Sequence, residues 1–103
     1  LAGLAYKVMR TEHGVMVAVA DAELLNRRLR TSDGVVVEVS EDFFGEKVGE
    51  EEEVIRAMDE ADMIILIGHR AVSLARSLGL VAPGSEIYIQ GVPYVQVFKS
   101  LIT

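Results

Sequence analysis

Few residues of this chain have the type and spacing that chemistry needs, and the most suggestive of them stand together. Gly68, His69 and Arg70 follow the fully apolar run Met63–Ile67 and precede a segment of helical periodicity. A strand that ends in glycine and opens a helix aims backbone N–H groups and the helix dipole at one point, where an anion is stabilised. Arg70 would add a forked contact to phosphate or carboxylate. One glycine is not a phosphate loop, however, and the three spaced glycines of a dinucleotide site are absent. The plainer alternative is that Gly68 turns the chain while His69 and Arg70 begin a surface helix.

Two further groups carry polar character. Ser73, Arg76 and Ser77 share the polar side of the same helix with His69 and Arg70, and Arg27, Arg28 and Arg30 end an earlier segment. Brought to one side of a sheet, the two groups would form a patch for phosphates, which suits RNA or a ribonucleoprotein. Three Tyr and three Phe leave little for base stacking, so backbone contacts would dominate. Ordinary solvated helix faces are the alternative. The last group lies in Ile87–Phe98, "IYIQGVPYVQVF", with Gly91, Pro93, Tyr94 and Gln96. Pro93 cannot donate to a ladder, so Gly-Val-Pro is expected to bend the chain into an edge strand. Alternation then puts Tyr94, Gln96 and Phe98 on one face, and Val95 and Val97 on the other. Such an edge offers a groove, or a place for a protein partner to add a strand.

Catalysis finds little material. Glu38, Asp42 and Glu46 lack the spacing of a carboxylate pair, and Ser40, Ser73 and Ser85 lack a nucleophile elbow. The chain has no cysteine, and His13 and His69 stand far apart, so neither a metal site nor a cofactor is expected. The expectation is a binding protein, not an enzyme. Its 103 residues, half hydrophobic and a quarter charged, suit one globular domain over residues 1–103. The net charge of −6 is uneven: residues 41–62 hold ten acids against Lys47 and Arg56, and the remainder is slightly basic. Eleven Glu beside a single Asn is a hyperthermophile-like balance. No apolar run reaches membrane-spanning length, and Leu1–Ala5 lacks the basic flank of a signal peptide, so a cytoplasmic protein is expected.

The elements that would position these groups can be read from periodicity. Leu4–Arg10 and Val15–Ala20 read as a β-hairpin. Asp21 stands as an N-cap before a helix expected over Ala22–Arg30, with its basic residues in the last turn. Val35–Val39 is a strand. Ser40–Gly49 is expected to be a loop that plugs Phe43 and Phe44 into the core. A helix over Glu50–Ala61 buries Val54, Ile55 and Met58. Met63–Ile67, a helix carrying Ala71, Leu74, Ala75 and Leu78, a stop at Gly79, and Glu86–Gln90 make a βαβ unit with parallel strands and a right-handed crossover. The fold class is therefore α/β, with α+β as the alternative: a mixed sheet with an N-terminal hairpin, a C-terminal βαβ unit and about three helices.

The blocks "KVMRTEHGVMVAVADAELL", "VEVSEDFFGEKV", "IGHRAVSLARSLGLV" and "IYIQGVPYVQVF", in this order and spacing, resemble an archaeal family known as domain of unknown function 424. The resemblance runs over nearly the whole chain and implies no activity, substrate or cofactor. The family pattern carries a histidine after Gly-Val-Pro; here Tyr94 and Val95 stand before the shared Gln96. A phenol ionising at about 10 makes a poor proton carrier near neutrality, so Tyr94 reads as a packing or hydrogen-bonding residue. Neighbouring translation-factor genes in the family imply a role around the ribosome. The leading expectation is a module contacting RNA or a ribonucleoprotein through its basic faces. The alternatives are a protein-interaction module using the terminal strand or the acidic helix, and an anion site or enzyme at Gly68–Arg70.

Overall fold

The computed structural model describes residues 3–45 and 47–99; Leu1 and Ala2, where the apolar opening begins, Glu46 and residues 100–103 lie outside them. The elements in order are β1 (Leu4–Thr11), β2 (Gly14–Asp21), a 3-10 turn (Ala22–Leu24), β3 (Arg28–Arg30) and β4 (Val36–Glu38). They continue with α1 (Glu41–Phe44), β5 (Lys47–Gly49), α2 (Glu51–Asp59), β6 (Met63–Ile67), α3 (His69–Ser77), β7 (Ile87–Ile89) and β8 (Val92–Phe98). Six strands form a mixed sheet in the order β5-β1-β2-β6-β8-β7, and β3 and β4 form a second, two-stranded sheet. With its three helices this is an α+β domain.

The apolar run of β6 explains why the sheet has its centre there. Ile64 to Ile67 are buried on both faces because β6 lies between β2, which it meets in parallel, and β8, which it meets antiparallel. Helices cover one face: Val17, Val19, Ile64, Leu66, Val95 and Val97 pack against Val54 and Met58 of α2 and Ala71, Val72 and Ala75 of α3. Each fully buried Val, Ile or Leu contributes roughly 1.5–3 kcal/mol, so this layer dominates stability. The far face carries Ala18, Ala20, Ile65 and Ile67, and it is covered by Leu24, Leu29, Val39 and Phe44.

Several expectations hold in modified form. The expected hairpin β1–β2 forms, its register running from Leu4 opposite Asp21 to Thr11 opposite Gly14. The βαβ unit is a split one: β8 lies between β6 and β7 and runs antiparallel to both, so β6 and β7 point the same way without touching. Helix α3 ends as expected at Gly79, whose positive φ of 76° closes a paired cap. Leu80 N–H donates to Ala75 O, and Gly79 N–H donates to Arg76 O, each at 3.0 Å. Val72 replaces Leu78 in the buried stripe, and Leu78 is exposed.

Three local expectations are corrected. No helix spans Ala22–Arg30. The chain makes one 3-10 turn, passes through Asn26 in the left-handed region (φ 67°), and becomes β3. Asn26 N–H donates to Val39 O at 2.7 Å and Val39 N–H to Arg27 O at 2.9 Å, so the backbone bonds a helix would make internally go to the β4 side. Arg28-Leu29-Arg30 fits this alternation, since only Leu29 is buried. Segment Ser40–Gly49 is likewise not plain loop: Ser40 Oγ accepts from Phe43 N–H at 3.2 Å to cap α1, and Lys47–Gly49 pairs with β1. Finally, Gly-Val-Pro is no bend. The turn is Gln90–Gly91, both at positive φ (54° and 81°), joining Ile89 to Val92 across a two-residue hairpin. Val92 and Pro93 lie inside β8, which is an interior strand, while β7 is the edge.

Candidate binding surface around the β6–α3 junction and the β7–β8 hairpin

Gly68 turns the chain from β6 into α3 at φ 113°, ψ 153°, a conformation reserved in practice for glycine. The turn exposes the first N–H groups of α3, and they are met by the chain's own carboxylate. Asp21, at the end of β2, accepts from Ala71 N–H at 2.8 Å and Arg70 N–H at 3.2 Å. It is 4 % exposed, the single buried charged residue among those described. The parallel pairing of Ala20 with Ile67 brings the two strand ends side by side and delivers it there. A Cβ on Gly68 would sit 2.4 Å from the Asp21 carboxyl carbon, so glycine is needed for space as well as for φ. Asp21 thus caps a helix, as its residue type suggested, but one that starts 47 residues beyond the Ala22 start expected and whose own N-cap position is held by Gly68.

Arg70 is engaged in the same way. Its guanidinium donates to both Glu23 oxygens, at 2.7 and 2.6 Å, and to the Gly3 carbonyl at 3.3 Å. The hydrogen bond from Arg70 holds the Glu23 carboxyl down at about 2, well below its ordinary 4.5, and Glu23 in turn raises Arg70. The donors that an anion reading gives to a ligand are therefore bonded to Asp21 and Glu23. The concavity beside Arg70, about 520 Å³, is bordered by Glu50, Glu51 and Glu52, a lining that repels anions. Arg76 is paired with Glu86, whose carboxyl is held low by backbone hydrogen bonds and by Arg76. Ser77 Oγ donates to Leu74 O within its own helix at 2.7 Å, while Ser73 is exposed on the same side.

His69 lies apart from these pairs. Its Nε2 donates to the Gly91 carbonyl at 3.2 Å. On the other side of the same hairpin, Gln90 Oε1 accepts from Arg30 N–H at 2.8 Å. The Gln90–Gly91 turn thereby fastens the start of α3 to the end of β3, but the two basic groups are not brought to one side of the sheet: α3 packs on one face and β3, through Leu29, on the other. Arg28 and Arg30 point outward from β3 with Arg27 exposed beside them. The Arg30 guanidinium donates to Gly34 O at 3.2 Å, while neither Arg27 nor Arg28 forms an ion pair among the described residues, although Glu38 stands opposite Arg28 across the β3–β4 pair.

Tyr94 and Gln96 share the far face of β8, as alternation requires, and Gln96 Nε2 donates to the Tyr94 hydroxyl at 2.8 Å. Pro93 is buried and gives its carbonyl to Gly68 N–H at 2.9 Å, tying β8 to the junction. Tyr88 was not among the residues singled out from the sequence. It is 61 % exposed on β7, and its pairing with Pro93 turns it to the helix side of the sheet. Its isolated position between two isoleucines gave no periodic signal. Gln-Gly flanked by apolar alternation was the signal that would have located the turn. Among the described residues no group of His, Cys, Asp and Glu is arranged to hold a metal ion, and no helix is long and apolar enough to cross a membrane.

No curated protein matches the chain. A crystal structure of an uncharacterized conserved protein from Methanopyrus kandleri is similar to it, with a TM-score of 0.78 and 26 % sequence identity over 93 % of this chain and 90 % of that one. The model of the family described as Protein of unknown function (DUF424) matches residues 9–100. That range takes in β2, the α3 junction and the β7–β8 edge, and the chain belongs to this family.

Proposed function

We propose that the protein is a non-enzymatic binding module whose basic edge, formed by Arg27, Arg28 and Arg30 beside the β7–β8 hairpin, contacts the phosphate backbone of RNA, alone or in a ribonucleoprotein. One observation carries this reading. Arg10, Arg70 and Arg76 are each matched with a carboxylate, whereas Arg27 and Arg28 are exposed and form no ion pair among the described residues, Glu38 standing opposite Arg28 across the β3–β4 pair. A cation already held by an acid gains little from a phosphate, while an unpaired one releases the phosphate's counterions. The translation link implied by the family resemblance is consistent with such a partner.

The test is anisotropy of a labelled single-stranded RNA titrated with protein between low and physiological salt. Three phosphate contacts correspond to a log–log salt slope of about −2 on a single strand. Arg27→Ala with Arg28→Ala should bring the slope to about −0.7 and weaken binding at low salt by tenfold or more. Arg70→Ala with Arg76→Ala should change the slope little. Absence of wild-type binding at low salt, or an unchanged slope in the Arg27/Arg28 variant, overturns the reading.

A further inference from the structure

Strand β8 is covered on its outer side for only half its length. Its odd-numbered residues face β6: Gly68 N–H bonds Pro93 O, and Lys99 N–H bonds Asp62 O. The backbone groups of Tyr94, Gln96 and Phe98 must therefore point the other way. Ile87 opposite Tyr94 is where β7 begins, so it meets the first of the three and leaves Gln96 and Phe98 without a strand neighbour on that side among the described residues. Continued by the same register, Ser85 would stand opposite Gln96 and Pro83 opposite Phe98. The chain leaves that line at a turn over Ala82–Ser85, with Pro83 second, Gly84 third at φ 78°, and Ser85 N–H and Oγ both donating to Ala82 O. No hydrogen bond reaches the outward N–H or C=O of Gln96 or Phe98 from any described residue.

What remains is a groove of about 400 Å³ between β8 and the segment Gly79–Ser85. Leu80, Val81, Ala82 and Pro83 wall it, Val95 and Val97 lie along its floor, and Phe98 stands 43 % exposed at one end. Not one residue lining it is charged, in a chain of which a quarter is charged. The opposite edge differs: β5 places Lys47 beside its exposed Val48, the usual guard against strand pairing.

We infer that this half of β8 is a strand-addition site whose occupant is an extended, uncharged segment of a partner protein, laid in line with β7. Main-chain groups in a line that no described residue meets call for another extended backbone; neither a helix nor a nucleic acid strand supplies alternating N–H and C=O groups at that spacing. Uncharged walls exclude acidic and basic side chains, since a charge there would lose water without gaining a partner. The docked segment bonds Gln96 and Phe98 and places alternate side chains against Leu80 and Pro83. The site is separate from the Arg27–Arg30 edge and stands or falls independently of RNA binding.

The experiment is amide hydrogen exchange by NMR on the full chain, with a blocked Thr-Val-Thr-Val-Thr peptide as probe at millimolar concentration. Exchange at Gln96 and Phe98 should slow by about tenfold, while the β1–β2 amides stay unchanged. The same peptide N-methylated at alternate residues should have no effect. Gln96→Pro removes one outward N–H without touching the β6 ladder and should abolish the response. Gln96→Lys, which keeps the backbone and adds a charge, should weaken it and covers the case in which the proline variant fails to fold. No slowing with the plain peptide, or equal slowing with the N-methylated one, overturns the inference.

Discussion

The β6–α3 junction and the β3 edge both carry arginines, yet only one of them is open for business with another molecule. At the junction the groups that most attract attention in the sequence are answered from within the chain: Asp21 takes the N–H groups of Arg70 and Ala71, and Glu23 takes the Arg70 guanidinium. At the β3 edge the backbone is fastened to Gln90 while Arg27 and Arg28 form no ion pair among the described residues. A residue pattern alone cannot separate these cases, because the deciding carboxylates lie 47 to 50 residues away in sequence. A perturbed, well-connected site is here the structural one, and the unperturbed site is the candidate for binding.

Replacing the two glycines tests this contrast most severely. Gly68→Ala forces a side chain onto a backbone at φ 113° and into the Asp21 carboxylate, and it should cost about 3 kcal/mol from backbone strain and overpacking together. Gly91 also has positive φ, 81°, but a Cβ there meets nothing within 4 Å, so Gly91→Ala should cost only about 1–2 kcal/mol, from backbone strain alone. Urea unfolding of both variants measures the difference. Equal losses would mean that the junction is no more tightly built than the hairpin tip.

Asp21 supplies the next step down. Asp21→Ala leaves two α3 donors without their acceptor in a buried position and should lower stability by roughly 2 kcal/mol in the same assay. Arg28→Ala, at the open edge, should stay within about 0.5 kcal/mol of wild type while weakening RNA binding. A loss at Arg28 as large as that at Asp21 would assign the β3 arginines to the fold and remove the basis for the RNA reading.

How much of this the sequence revealed follows from the range of the interactions involved. Met63–Ile67, Gly79 as a stop and the acidic start of α2 were readable because periodicity, caps and dipole act within a few residues. Leu24, Leu25 and Leu29 suggested a helix because their spacing fits one; the choice went instead to pairing of Arg27 with Val39, a tertiary bond with no local signature. The alternation of Tyr94, Gln96 and Phe98 was readable, whereas the position of β8 inside the sheet depends on β7 folding back through Gln90 at φ 54°, a conformation glutamine rarely adopts. Of the candidate residues, His69 and Arg30 meet at one turn, but only the structure shows that Arg70 and Arg76 are already neutralised.

The smallest effect is also the most selective, because it concerns a single ion pair. Glu23 has its carboxyl at about 2 in the folded chain, against 4.5 ordinarily, chiefly through the hydrogen bond from Arg70. The folded protein therefore takes up this proton less readily than the unfolded chain, and stability must fall as pH drops from about 4.5 toward 2. Above that window the pair contributes in full. Both side chains are close to half exposed, at 45 % and 49 %, so water screens the pair and the amplitude should stay below about 1 kcal/mol. Urea midpoints at pH 6 and pH 3 isolate it: Glu23→Gln and Arg70→Met should each lose less stability across that interval than wild type does. Arg28→Met should track wild type, since Glu38, opposite Arg28 across β3–β4, forms no ion pair with it. If Arg28→Met also flattens the acid response, an acidic partner lies near that arginine in solution, and the distinction between a closed junction and an open edge fails at its most specific point.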